Sequence, residues 1–207
     1  MTTVAVSDLR DGFLFLGNHP FLDFINTRPV VHGKAEELLT DWSSLLRWFR
    51  AAGLIDSREG ARFERIWAQS HEAEDTLRAF WDFREKARKD LLAWERGATV
   101  RVATLHELNE LMSKHPMLTK IRTEAGKLAT TQWFPSQRPD DLFAPIASAA
   151  ANLFSEVNPA RVRKCEHCVL HFHDVSKIGT RRWCSMRLCG NRAKVAAYAA
   201  RQGNLSR

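Results

Sequence analysis

The four cysteines of this chain stand as Cys165-x2-Cys168, then fifteen intervening residues, then Cys184-x4-Cys189, with no others among its 207 residues. Two close pairs separated by a hairpin-length segment frame one tetrahedral Zn2+ site, which four thiolates fill without an open position for catalysis. Disulfides are the competing use, but four cysteines confined to one corner of a long chain would staple little of it. Residues five apart on an α-helix point about 140° apart, so Cys184 and Cys189 cannot both ligate from one helix. Cys184 is therefore expected just before a helix, with Cys189 in its first turn. Cys165-Glu-His-Cys168 reads as a knuckle, residues 170–173 as a strand, 176–180 as a turn and 181–184 as the returning segment. Knuckle, hairpin and helix describe a treble-clef finger.

Charge concentrates on the same segment. Residues 160–207 carry eleven basic side chains against Glu166 and Asp174, a balance of +9, whereas residues 1–159 hold twenty basic and twenty-two acidic ones, a balance of −2. Zinc with four thiolates would bring a further −2 and leave the finger at roughly +7. An excess so localised suits a polyanion, and the expected partner is DNA, with RNA as the alternative. On the terminal helix Arg187, Asn191, Lys194, Tyr198 and Arg201 share an outward stripe, while Cys189, Ala193, Ala196 and Ala200 form a small-residue face opposite. Arg187 and Asn191 suit guanine and adenine edges, with Lys194 beside them. Lys177, Arg181 and Arg182 suit phosphates. Arg192 lies nearer the inner face, where it would bond zinc sulfurs or backbone carbonyls, or else contact nucleic acid. His171 and His173 share the polar side of a short strand and are expected to face solvent or phosphate. Trp183 is expected to anchor the small core.

The remainder reads as one medium domain with seven Trp and twelve Phe available for its core. The start is polar and no apolar stretch approaches ~20 residues, so neither a secretory signal nor a membrane span is expected. Cysteines reserved for metal then imply the reducing cytoplasm. A buried strand is expected over 13–17, followed by a short helix over 20–26. Trp42, Leu45, Leu46 and Phe49 make one helical face closed by Gly53. Asp56 or Ser57 caps a helix carrying Phe63, Ile66 and Trp67. A long helix over about 72–96 presents Leu77, Phe80, Trp81, Arg84, Ala87, Leu91 and Trp94. Thr104-x-x-Glu107 reads as a capping box, residues 118–123 and 127–134 as a hairpin, and Asp140 as the cap of a final helix. The fold class is α+β: a mostly helical domain over 1–159 with a small antiparallel element, then a treble-clef finger over 160–207, with Asn158-Pro159 as the boundary.

Two motifs resemble known families. Trp183-Cys-Ser-x-x-x-Cys189-Gly-Asn-Arg192-x-Lys194, preceded by Cys165-x-x-Cys168, resembles the CGNR zinc finger family. Leu16-Gly-Asn-x-Pro-x-Leu-Asp-x-x-Asn26-Thr27 resembles the opening of the ABATE domain that usually precedes this finger in bacterial proteins. The resemblance implies a stress-induced transcription regulator with one structural zinc, whose DNA binding is inferred from the basic finger. A sensor or interaction role then falls to the N-terminal domain, with a small-molecule or protein effector. Asn18, Asp23, Asn26 and Thr27 form a polar cluster that either fixes a strand-to-helix turn through side-chain caps or binds a ligand. RNA or ribosome binding and a protein-interaction adaptor are the other readings. An enzyme is not expected, since no nucleophile elbow, phosphate loop or second metal set is visible.

Overall fold

The computed structural model describes residues 8–31, 33–168 and 170–205. Its centre is a six-residue helix. α1 (Pro20–Ile25) starts with Pro in its first turn and the His19 side chain as cap, and Phe21, Leu22, Phe24 and Ile25 are wholly buried. So short a helix cannot hold itself in water. It persists because every apolar side chain on it is wrapped by longer helices.

Those helices are α2 (Trp42–Ala51), α3 (Ser57–Trp67), α4 (His71–Trp94), α5 (Val102–Lys114) and α6 (Phe143–Glu156). The expected α2 face is buried, joined by Trp48, and an Asp41–Ser44 capping box starts it. Aromatic rings bind α1 to its wrapping: Phe24 meets Trp48, Phe80 and Phe83, and Phe80 stacks on Phe143 of α6 at 4.0 Å. Such pairs add ~0.5–1.5 kcal/mol each beyond the area they bury.

Several expectations about these helices need correction. Phe63 is inside, but Ile66 is 51% exposed and Trp67 only packs at the core's margin, because α3 touches the domain mainly through one edge. Thr104 does not cap α5. Its hydroxyl donates instead to buried Asp90 of α4 (2.5 Å), which Arg101 also grips through two nitrogens, and Glu107 pairs with Lys86. A buried carboxylate needs several donors, and that demand outweighs a local cap. Asp140 likewise pairs with Lys114, while Asp141 receives the Gln137 and Arg138 amides at the head of a 3-10 turn, Pro139–Leu142, leading into α6.

Among the described residues the strands make four separate antiparallel pairs. β1 (Leu9–Arg10) pairs with β2 (Phe13–Leu14), and β3 (Val30–Val31) with β4 (Lys34–Ala35). β5 (Leu118–Glu124) pairs with β6 (Lys127–Trp133) through a turn at Ala125 and Gly126, both with positive φ as a two-residue hairpin turn requires. β7 (Val162–Lys164) pairs with β8 (His171–His173), flanking the first cysteine pair. The segment 181–184 returns the chain without forming a strand. The β7–β8 hairpin thus encloses the knuckle instead of following it. The last helix is α7 (Asn191–Leu205).

Between α6 and β7 the chain runs through a 3-10 turn, Pro159–Arg161, and Val162 enters the helical core. The finger has a small apolar cluster of its own, Leu170 and Phe172 with three of the cysteines, but Leu16 from the other end of the chain completes it.

Candidate metal centre and nucleic-acid face

All four cysteines are free thiols, and one sulfur from each lies within 4.8 Å of the other three. Cys168 Sγ sits 3.4 Å from Cys184 Sγ, and Cys184 Sγ 3.6 Å from Cys189 Sγ. A tetrahedral ZnS4 unit with ~2.3 Å bonds has edges of ~3.8 Å, so the sulfurs stand almost where zinc would hold them. Cys165 and Cys168 reach the point from the knuckle, whose Cys165 amide donates to Leu170 O (2.8 Å). Cys184 ends the returning segment. Ser185 caps a π-turn over Met186–Gly190 that carries Cys189 and leads into α7, so the second pair is split around a helix start as its spacing demands. Without metal, four sulfurs this close cannot all ionise. A hydrogen bond from Cys184 lowers Cys168 to about 5, while burial and that neighbouring thiolate push Cys189 up to about 12. A site that already favours a thiolate and has room for one tetrahedral ion fits zinc. At Gly190 a Cβ would lie 2.7 Å from Met186 Sδ, so a larger residue there would need that exposed, flexible side chain to swing aside.

The finger's basic residues divide into two kinds. Arg161 donates to the Asp174 and Ser176 carbonyls and Arg163 to Gly179 O. Arg181 donates to Trp183 O and Cys184 O, with its guanidinium over Phe172. These three hold the loop over 174–181 in place. Asp174, wholly buried, anchors the same loop. Burial alone would raise its pKa, but the Ser176 side chain and the Ser176 and Arg181 amides outweigh that and hold it at about 2. Arg182 chelates Glu166 through both its oxygens. Of the residues expected on phosphates, Lys177 alone is exposed and outside such bonds; Arg181 and Arg182 are committed within the finger.

Arg187, Asn191 and Lys194 are exposed on the stripe expected for base edges, and Arg187 reaches Asp8 (3.2 Å). Arg192 is exposed as well and, among the described residues, bonds neither sulfur nor carbonyl. The small-residue face does not pack inward either: Ala193 is half-buried, Ala196 exposed, and the side chains of Ala200 and Arg201 lie outside the described residues. The reason is geometric. The π-turn changes the angular phase that a regular helix would carry forward from Cys189, and α7 leaves the finger after its first turn.

Docking of the finger was not visible in the sequence. Asn26 pairs with the backbone of His171 on both sides: its Nδ2 donates to His171 O (2.8 Å) and its Oδ1 accepts from His171 N (2.9 Å). Gly17 O accepts from His173 N (2.8 Å), and Asn18 Nδ2 donates to His173 O (3.0 Å). The segment 17–26 therefore serves β8 as a neighbouring strand would. Thr27 donates to Phe24 O and accepts from buried Arg84, whose guanidinium also grips Glu37. Asp23 accepts from Gly17 N (2.7 Å), and a Cβ at Gly17 would lie 2.8 Å from Leu22 Cβ and 2.9 Å from Asp23 Oδ1. The four polar residues are thus occupied by main chain and by Arg84. His171 is buried rather than solvated, with Nε2 3.3 Å from Glu95 at the end of α4, because the outer side of β8 is itself an interface.

Burial raises the Asp23 pKa from 3.8 to about 7, against the opposing pull of the Gly17 amide and the Arg10 charge. Because the folded value lies above the unfolded one, stability is lost as pH rises between the two, on the order of 1 kcal/mol per pH unit. Asp23→Asn keeps the acceptor for Gly17 and should abolish that component. Melting curves of both proteins from pH 4 to 8 should diverge with the variant ahead at the alkaline end. Parallel curves would refute the assignment.

One further cluster escaped the sequence: His115, Asp140 and Asp141 each bring a ligand atom within 4.8 Å of the others. Lys114 and Arg138 already neutralise Asp140, and Asp141 is held by backbone amides and His115. No helix among the described residues is long and apolar enough to cross a membrane.

No curated protein matches the chain. Residues 161–202 match the family model of the CGNR zinc finger, the segment that holds all four clustered cysteines. Residues 18–157 match the ABATE model, described as "Putative stress-induced transcription regulator". With most of its length covered by that match, the chain belongs to the ABATE family, and a CGNR zinc finger follows its ABATE domain.

Proposed function

We propose that the protein is a zinc-dependent DNA-binding transcription regulator of the reducing cytoplasm, without enzymatic activity. One structural Zn2+ is held by Cys165, Cys168, Cys184 and Cys189 at roughly 2.3 Å per sulfur in a treble-clef finger. The finger reads DNA through Arg187, Asn191 and Lys194, with Lys177 and Arg192 on phosphates, and the ABATE domain receives the effector. What carries this reading is a basic helix, exposed along most of its described side chains, that starts at the four-cysteine cluster. The helix start also presents partial positive charge, and phosphate can displace Asp8 from Arg187.

A salt-titrated binding assay on duplex DNA and on structured RNA is the test. Arg187→Ala or Asn191→Ala should cost ~1–3 kcal/mol and relax sequence preference, whereas Lys177→Ala should weaken all duplexes alike. Preference for RNA would move the reading to an RNA binder. If Lys194→Glu with Arg187→Glu leaves every nucleic-acid affinity unchanged, the finger is a protein-interaction platform instead.

A further inference from the structure

The β5–β6 hairpin stands almost entirely in solvent, with Ile121 71% and Leu128 80% exposed. An isolated two-stranded hairpin is marginal in water, so an arm of this length is unusual without a partner. Its register sorts the side chains by face. Leu118 and Trp133, Lys120 and Thr131, Arg122 and Ala129, and Glu124 and Lys127 stand opposite each other and share one side. Every charge on the arm lies on that side. The other carries Thr119, Ile121, Thr123, Leu128, Thr130 and Gln132, all uncharged.

The charged side does not end at the arm. Lys120 Nζ lies 5.5 Å from the centre of the Trp133 ring, and both line a groove that Arg62 enters from α3. Arg62 is fixed there by Ser136 Oγ (2.8 Å). The groove continues across Arg58 and Arg65, which are exposed and have no ion pair among the described residues. Six cations, Arg58, Arg62, Arg65, Lys120, Arg122 and Lys127, thus stand along the arm and its root with three acids, Asp56, Glu59 and Glu124; Glu59 pairs with Arg62, and Glu124 with Arg122 in an exposed contact that a phosphate can displace. That excess sits on a domain whose overall balance is −2. A negatively charged domain that gathers cations along a two-stranded ribbon and its root has the charge pattern of a phosphate-contacting element. A β-ribbon also has the right width for the major groove of duplex DNA.

We infer that the β5–β6 arm and the adjoining α3 face form a second DNA-contacting element, laid on the phosphate backbone of a duplex. The inference rests on the DNA-binding reading of the finger and adds an element outside it. The contacts are to phosphate and therefore add affinity and salt dependence without sequence preference.

The test uses the full chain loaded with zinc and a mixed-sequence duplex, followed by fluorescence anisotropy over a salt series. The variant K120Q/R122Q/K127Q alters only exposed side chains; circular dichroism checks its fold, and R187Q/K194Q marks the finger's share. The triple variant should bind at least about tenfold more weakly at low salt, with a log–log salt slope shallower by about 2.7, the value for three lost phosphate contacts. An unchanged slope and affinity, while R187Q/K194Q weakens binding, would overturn the arm and leave the finger reading standing. In that case the cations would only guard exposed strand edges. A wild-type chain that binds no duplex at all would sink the finger reading, and the arm with it. A triple variant whose only change is its oligomeric state in sedimentation would make the arm a contact between copies and overturn the inference.

Discussion

Chelating the metal, or replacing Cys184 by Ser, is expected to unfold the finger and to loosen the segment 14–27 while leaving the helical core intact. Among the described residues the finger's apolar cluster holds Leu16, Leu170 and Phe172 besides three buried cysteines, with Leu14, Trp183 and Leu188 half-buried against it. So few side chains cannot offset the entropy of ordering some forty residues, and structural zinc typically supplies ~10–16 kcal/mol toward that end. Once β8 is released, Asn26 and Gly17 lose their partners on His171 and His173, and Leu16 loses its pocket. The rings of Phe24, Phe80 and Phe143 are packed among the wrapping helices and should hold. Hydrogen exchange read by mass spectrometry checks this by region. Fast exchange over 160–200, intermediate exchange over 14–27 and unchanged protection over 77–94 is the expected pattern. A metal-free protein with a fully protected finger would show that zinc is dispensable. A single transition that melts α4 together with the finger would show that the two share one cooperative unit.

Asn26→Ala should be the most damaging single substitution outside the metal site. It leaves the amide and the carbonyl of buried His171 without partners, and each such group costs ~1–3 kcal/mol. The expected loss of ~2–5 kcal/mol should appear in denaturant midpoints. It should also weaken zinc retention in competition with a chromophoric chelator, because the strand that follows the knuckle is then poorly held. Asn26→Asp keeps the acceptor but turns the donating side into a carboxylate facing a carbonyl, so it should not rescue. A midpoint within about 0.5 kcal/mol of wild type would mean that water satisfies His171 and that the seam contributes little.

The metal site was legible because coordination imposes a local rule: two short spacings and a helix that cannot present both of its cysteines at once. Long amphipathic helices were legible for the same kind of reason, as α2 and α4 show. What the sequence hid lies in contacts between distant residues. Asn26 and His171 are 145 positions apart, and nothing in a strand of alternating polarity says that its polar side will be covered. Thr104 looked like a cap because its spacing to Glu107 is right, yet Asp90 of another helix claimed its hydroxyl. Arg181 and Arg182 looked like phosphate ligands because charge is visible in a sequence and its internal partners are not. Arg192 was placed on an inner face by counting regular turns through a π-turn that does not follow them.

The seat for β8 has one more consequence. Its four hydrogen bonds all end on main-chain atoms of residues 171 and 173, so Gly17, Asn18 and Asn26 recognise the path of a strand and no particular side chain on it. Hydrogen bonds blind to side-chain identity let the plugged module diversify away from the buried His171–Glu95 contact. Fingers with altered reading residues can be exchanged on an unchanged N-terminal body, provided that the strand keeps its course and a small apolar knob fills the place of Leu16's neighbours.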